Sequence, residues 1–291
     1  MRRLVVPFVV LAAIGLAACD TPYTDIPGAG PLRYRDEIFT TTTTTKDVVY
    51  GSAIDQTGAT VNLALDVYQP AGDTVTARPA IVWVHGGAFR SGSKTDSIVV
   101  NEAKTFARMG YVTVSINYRL VGGGCTNDYG LPACIQAMID AQHDAQAAVR
   151  FLRANANLYG VDAARIGIKG YSAGAITAMH VGFNSDDPGT GGNPDYSSAV
   201  RAAVSVAGAK RLGTANTGDA PTLLFHGTLD TVIPYQWAVD TQAEAKAAGL
   251  SSYLTTFVGA GHSPTKDHAV EIYNQTRNFF YWEMELYATP Q

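Results

Sequence analysis

Ser172 stands at the centre of Gly170-Tyr171-Ser172-Ala173-Gly174, a G-x-S-x-G pentapeptide directly after the strand-like run Arg165-Ile166-Gly167-Ile168-Lys169. A strand that turns sharply into a helix presents a serine hydroxyl at the tip of the turn, and flanking glycines leave room for the chain to double back. A neutral serine hydroxyl attacks poorly. It needs a general base within hydrogen-bond reach and a third group that orients that base. His262, in the loop Gly261-His262-Ser263-Pro264, is the base candidate, and Asp230, a short turn after the apolar run Thr222–Phe225, is the acid candidate. A buried carboxylate at Asp230 would hold the imidazole in the correct tautomer and stabilise the imidazolium as it forms. Upstream, Ile81-Val82-Trp83-Val84 runs into His85-Gly86-Gly87-Ala88. The amides of Gly87 and Ala88, with that of Ala173, are candidates for an oxyanion hole, while His85 and Gly86 shape the loop. The chemistry this set points to is acyl transfer through a covalent acyl-enzyme.

The competing residues fit less well. His143 and His180 fall within helical stretches, and His226 ends a strand, where it is expected to support the loop carrying Asp230. His268 opens the final helix and is the nearest rival to His262. Asp219 precedes its strand and Asp240 lies in a helix, so both are at the wrong end for an acid. No metal or organic cofactor is called for. Cys125 and Cys134 share a loop rich in Gly, Asn and Pro, with no histidine or further cysteine at ligand spacing, so a disulfide is the expectation and a metal site is not.

The elements that must position these groups are legible as alternating patterns. Val48 to Ile54 and Thr60 to Tyr68 alternate apolar and polar residues around Asp55-Gln56-Thr57-Gly58, which reads as an antiparallel hairpin. Apolar runs suited to buried parallel strands follow at 80–84, 112–116, 166–168, 200–206, 222–225 and 253–258. Between them, stretches near 97–109, 135–155, 173–182, 235–248 and 267–286 place apolar residues at helical spacing. The expected fold class is α/β, a mostly parallel central sheet with helices on both faces and an N-terminal antiparallel hairpin. The catalytic candidates fall just past the C-terminal ends of strands, where such sheets bind ligands.

Composition sets the remaining bounds. The 291 residues are 46% hydrophobic and 16% charged, which describes a globular chain with a substantial core. A net charge of −4 with no basic cluster argues against nucleic acid as a partner. Arg2 and Arg3 precede an apolar, small-residue stretch from Leu4 to Ala18, the pattern of a signal peptide over 1–18. Leu16-Ala17-Ala18-Cys19 looks like a bacterial lipobox, with cleavage before Cys19 and lipid on that residue anchoring the chain to a membrane of the cell envelope, facing periplasm or exterior. Residues 19–46, rich in Thr, Pro and Gly, read as a lipidated cysteine and a flexible tether, and 47–291 as the catalytic domain.

Five stretches together resemble a known family. They are Leu65-Asp66-Val67-Tyr68-Gln69-Pro70, Val84 to Phe89, Ser115-Ile116-Asn117-Tyr118-Arg119-Leu120, the serine motif, and His226 to Pro234. Residues 60 to 265 resemble an α/β-hydrolase carboxylesterase. The similarity is greatest to small secreted or periplasmic acetyl-xylan and feruloyl esterases and to hormone-sensitive-lipase-like esterases. The chain order of oxyanion loop, Ser, Asp, His agrees with that fold. The resemblance implies a serine esterase acting on small-molecule or glycan esters. One departure is Ala88, where the hormone-sensitive-lipase group has a third glycine; alanine still offers an amide. A serine peptidase of the prolyl-oligopeptidase type shares the triad order, and a lipid-tethered binding module without catalysis could use the same scaffold. The short Gly/Asp/Pro segment 184–197 leaves little room for a lid, so an open cleft and short-chain or bulky surface esters are expected.

Overall fold

The computed structural model describes residues 23, 25–125, 128–183, 187, 189 and 191–288. The signal-peptide and lipidation assignments at 1–18 and Cys19 lie outside the described residues.

In chain order the elements are β1 (Thr42–Ile54), β2 (Thr60–Pro70), β3 (Arg78–Val84), α1 (Ser97–Arg108), β4 (Val112–Ile116), α2 (Pro132–Ala154), the single turn α3 (Ala156–Tyr159) and β5 (Val161–Tyr171). Then follow α4 (Ala173–Phe183), β6 (Ala202–Val206), β7 (Thr222–Gly227), α5 (Tyr235–Ala247), β8 (Ser252–Phe257), α6 (Thr265–Glu283) and a 3-10 turn (Leu286–Ala288). The strands form one eight-stranded sheet in the order β1-β2-β4-β3-β5-β6-β7-β8. β2 runs antiparallel to both β1 and β4, and every pairing from β4 to β8 is parallel.

Alternation along the strands divides the core in two. Val82, Val84, Ile168 and Leu224 pack on one face beneath α2, α4 and α5. Ile81, Trp83, Val204 and Phe225 pack on the other, against α1 and α6. Both faces are covered, which is why the central strands read as continuous apolar runs. The expected α/β sheet with its N-terminal antiparallel pair is therefore the observed one.

The N-terminal segment departs from the expectation of a solvated tether up to residue 46. Ile26 and Tyr34 are buried. The Tyr23 ring meets Tyr253 and Phe279 edge-on at 5.5 and 5.8 Å. Arg33 pairs with Asp73, and Tyr34 N–H donates to Met109 O at 2.8 Å. The aromatic residues scattered among Pro and Gly are anchors on the α1–α6 face. Thr42 to Thr45 form the start of β1, opposite Val67 to Pro70 of β2. Threonine is β-branched and favours a strand once a partner edge exists, so the threonine run is sheet.

Strand register does the positioning. Val84 of β3 lies opposite Gly170 of β5, so the loop after β3 emerges beside the turn after β5. Gly227 of β7 lies opposite Phe257 of β8, so the loops carrying Asp230 and His262 also leave the sheet side by side.

Candidate active site

The turn between β5 and α4 holds Ser172 in the left-handed region, at φ +52°. For a non-glycine residue this costs about 1–3 kcal/mol and persists only where the surroundings enforce it. Here Ser172 N–H donates to Val206 O at 2.9 Å, tying the turn to β6. The motif's two glycines are needed for space. A Cβ on Gly170 would stand 2.0 Å from Gly174 O, and one on Gly174 would stand 2.3 Å from Val84 O. The helix therefore starts directly against the end of β3.

Ser172 Oγ lies 2.8 Å from His262 Nε2, and His262 Nδ1 lies 2.8 Å from Asp230 Oδ2. With the Nδ1–H donated to the carboxylate, Nε2 is left to accept the serine proton. The Asp230 side chain is fully buried and saturated with donors. Oδ1 accepts the N–H groups of Val232 and Ile233 at 2.8 and 2.9 Å, and His226 Nε2 lies 3.1 Å from Oδ2 while also contacting Ile233 O at 2.8 Å. Burial works against the charge, yet the bonds from His226, His262 and Ile233 N–H outweigh it and hold the carboxyl well below the usual range. His268 stacks on Phe257 with ring centroids 4.1 Å apart, and it is His262 that bonds to the serine.

The loop after β3 carries three consecutive positive φ angles, Gly87 at +112°, Ala88 at +53° and Phe89 at +58°. Only the first is a glycine, and a Cβ there would meet Ser91 O at 2.0 Å. The N–H groups of Gly87 and Ala88 have no acceptor among the described residues. The Ala173 amide opens α4, whose N-terminal end favours negative charge. His85 is buried, its Nδ1 lies 2.7 Å from Gly86 O, and burial lowers its pKa. That contact lies within the turn that leads from β3 into the loop.

Several supporting residues were within the resembling stretches without an assigned role. Tyr118 stacks on His85 at 4.3 Å and donates its hydroxyl to His85 O at 3.0 Å and Gly86 O at 3.3 Å, clamping the loop from beneath. Lys94 Nζ pairs with buried Asp66 at 2.5 Å, and Lys94 N–H donates to Asn117 Oδ1 at 2.7 Å. Arg119 makes a buried ion pair with Asp144 at 2.7 Å, fixing the chain after β4 to α2. On the opposite face, buried Lys169 pairs with Glu102 at 2.8 Å, and Tyr171 donates to the same carboxylate. Cys125 and Cys134 form a disulfide closing a separation of 9 residues.

What the arrangement can do is transfer a proton from a serine hydroxyl to an imidazole that a buried, ionised carboxylate orients and stabilises, beside unspent amides on a preorganised loop. Among the described residues no cluster of His, Cys, Asp and Glu could hold a metal ion.

Comparison with known proteins agrees with this architecture. Lipase 1 of Geotrichum candidum is 32% identical over 135 residues, covering 43% of this chain and 23% of that protein. Chlorogenic acid esterase of Aspergillus niger is 28% identical over 130 residues, covering 43% of this chain and 25% of that protein. The chain thus spans about a quarter of the length of these two curated relatives. The propionate-bound structure of the thermophilic esterase Est2 of Thermogutta terrifontis superposes with a TM-score of 0.66 at 25% identity, covering 89% of this chain and all of that one. A family model described as BD-FAE matches residues 65–217. More than half of the sequence lies inside that match, and the chain belongs to the BD-FAE family, built on an α/β-hydrolase fold.

Proposed function

We propose that this chain is a serine carboxylic-ester hydrolase working through an acyl-enzyme. The observation that carries the reading is the unbroken line Ser172–His262–Asp230, with both links at 2.8 Å. In this mechanism His262 takes the Ser172 proton as Oγ attacks the ester carbonyl. The developing oxyanion is received by the amides of Gly87, Ala88 and Ala173. His262 then protonates the departing alcohol, and water enters by the same route to release the acid. Each oxyanion donor removed in such a site costs roughly 3–4 kcal/mol of transition-state stabilisation. Because the base must be neutral to act, turnover is expected to fall on acidification.

The substrate side of the proposal is a short-chain or carbohydrate or phenolic ester in an open cleft. The chain between Ser172 and Asp230 passes through α4, β6 and β7 with no inserted helical cap among the described residues. Leu229 and Val232, which flank the acid, are 64% and 43% exposed, an apolar rim without a cover among the described residues. The Est2 structure, with propionate bound, and the chlorogenic acid esterase relative fit the same range of esters.

Hydrolysis of p-nitrophenyl esters from acetate to palmitate, with Ser172→Ala alongside, tests the reading. Turnover strongest on acetate or butyrate and abolished in the variant is expected. Substantial activity in Ser172→Ala would place the chemistry elsewhere, and inactivity of the folded protein on every ester would point to a peptidase or a binding module. Export and lipid attachment at Cys19 belong to the same proposal and rest on the sequence pattern; a Cys19→Ser chain that stayed membrane-bound would refute the anchor.

A further inference from the structure

Against the chain that follows Asp230 lies a cavity of about 330 Å³ whose walls come from three separate stretches of chain. Thr231 and Val232, which directly follow the acid, form one side, and Val232 N–H is itself bonded to Asp230 Oδ1. Arg211, from the loop between β6 and β7, and Trp237 of α5 form another. The Arg211 guanidinium carbon sits 3.5 Å from the centroid of the Trp237 ring. Tyr129 meets the same indole edge-on, with centroids 5.3 Å apart and planes at 89°. Asp128 also borders the cavity, and its Oδ1 accepts the Gly130 N–H at 2.8 Å.

Arg211 has no carboxylate partner among the described residues, and its buried Nε has no hydrogen-bond partner there. The contrast with its neighbour is direct, since Lys210 is paired with Glu244 at 2.8 Å. Arg211 is half-buried, and its Nε loses hydration that no group among the described residues replaces. Yet the position is built with care. The Arg211 and Leu212 N–H groups both donate to His180 Nε2, at 3.0 and 3.1 Å, and His180 lies on the helix that begins at Ala173. Burial, with the charges of Lys210 and Arg211, pushes His180 down to about 3, so it remains a neutral acceptor. Stacking on the indole fixes the guanidinium plane and leaves its in-plane N–H groups to bind a ligand. That fork matches a carboxylate through two parallel hydrogen bonds.

We propose that this cavity is a subsite for a free carboxylate on the substrate, so that the enzyme prefers esters carrying a second, unesterified carboxyl group. The proposal rests on the esterase reading above and specifies its substrate class. Arg211 is its specificity-determining residue, with Trp237 and Tyr129 holding the guanidinium in place.

Two matched pairs of substrates test it on the full chain. They are 4-acetoxybenzoate against 4-methylphenyl acetate, and methyl hydrogen adipate against methyl hexanoate. The first puts the carboxylate on the alcohol half and the second on the acyl half. The expected result is a kcat/KM ratio favouring the anion in at least one pair, falling about 10- to 100-fold in Arg211→Met. Arg211→Lys keeps the charge without the planar fork, so its ratio should also fall, by less; it serves as the second variant if the methionine protein does not melt cooperatively. No preference for the anion in either pair, or a ratio unchanged by both variants, overturns the proposal. If no ester is turned over, the esterase reading fails first, and the subsite is then read by calorimetry. Adipate or 4-hydroxybenzoate binding to the Ser172→Ala protein, lost when Arg211→Met is added, upholds the subsite; absence of binding overturns it.

Discussion

Replacing Gly174 with alanine separates a local from a tertiary account of the serine turn. Gly174 lies in the first turn of α4 and is not among the glycines with positive φ. On helix propensity alone, alanine there gains about 1 kcal/mol. The structure opposes that gain. A Cβ at this position would stand 2.3 Å from Val84 O and 2.5 Å from His85 O, where ordinary contact begins at 3.4 Å. Both obstacles are backbone atoms at the end of β3, so no rotamer relieves them, and α4 must lift by roughly 1 Å. Overpacking of this kind costs about 1–3 kcal/mol, more than the propensity gain at its upper end. The net is a loss of up to about 2 kcal/mol, which lowers Tm by up to roughly 4–8 °C in a large domain. The functional effect is larger, because the contact joins the two halves of the site. Ser172 lies on one side and the loop after β3 on the other, and a 1 Å misplacement can cost about 100-fold in rate. Thermal melting and kcat on p-nitrophenyl acetate measure both. A variant with unchanged or raised Tm and kcat within about twofold of the parent would refute the steric argument and leave propensity as the better account.

Three further outcomes follow from the same geometry. Tyr118→Phe removes the hydroxyl clamp on His85 O and Gly86 O, and is expected to cost about 1–2 kcal/mol of stability and to lower kcat more than it changes KM; unaltered kcat would show that the loop holds its shape without the clamp. Asp230 has a carboxyl held below its usual range, so its stabilisation is complete above the unfolded-chain value near ~4 and is lost as pH falls through the lower folded value. Urea unfolding at pH 7, 5 and 3 should therefore show the stability gap between the parent and Asp230→Asn narrowing only below about pH 4, and a gap already closed at pH 5 would contradict the assignment. Removing the disulfide by Cys125→Ala with Cys134→Ala should lower stability by about 2–3 kcal/mol for so short a loop, measured by urea denaturation under non-reducing conditions; an unchanged midpoint would mean the loop is held by its packing alone.

The candidate site was legible because each of its members sits at a strand end marked by small residues. Glycine at 170 and 174, the Gly86-Gly87 pair after Val84, and Gly227 before Asp230 all mark places where backbone must pass closely or turn. The core strands were legible because burial on both faces leaves only apolar residues at their centres. The N-terminal segment is not legible in this way, for a related reason. Its Thr, Pro and Gly content describes local chain preference, whereas the docking of Tyr23, Ile26 and Tyr34 depends on a surface built from α1, β8 and α6. Local composition carries no record of such a partner.

Local pattern, then, determined which residues turn, which alternate and which end a strand, and with them the fold class and the Ser172, Asp230 and His262 candidates. Whether those three meet was decided by register, which sets Val84 beside Gly170 and Gly227 beside Phe257. Tertiary structure alone assembled the groups that have no motif. Tyr118 reaches the loop after β3 across β4 and β3, and Tyr129, Arg211 and Trp237 converge from two loops and a helix. The physical reason is that periodicity and turn chemistry act over a few neighbouring residues, while a side-chain contact across the sheet depends on the placement of every strand between.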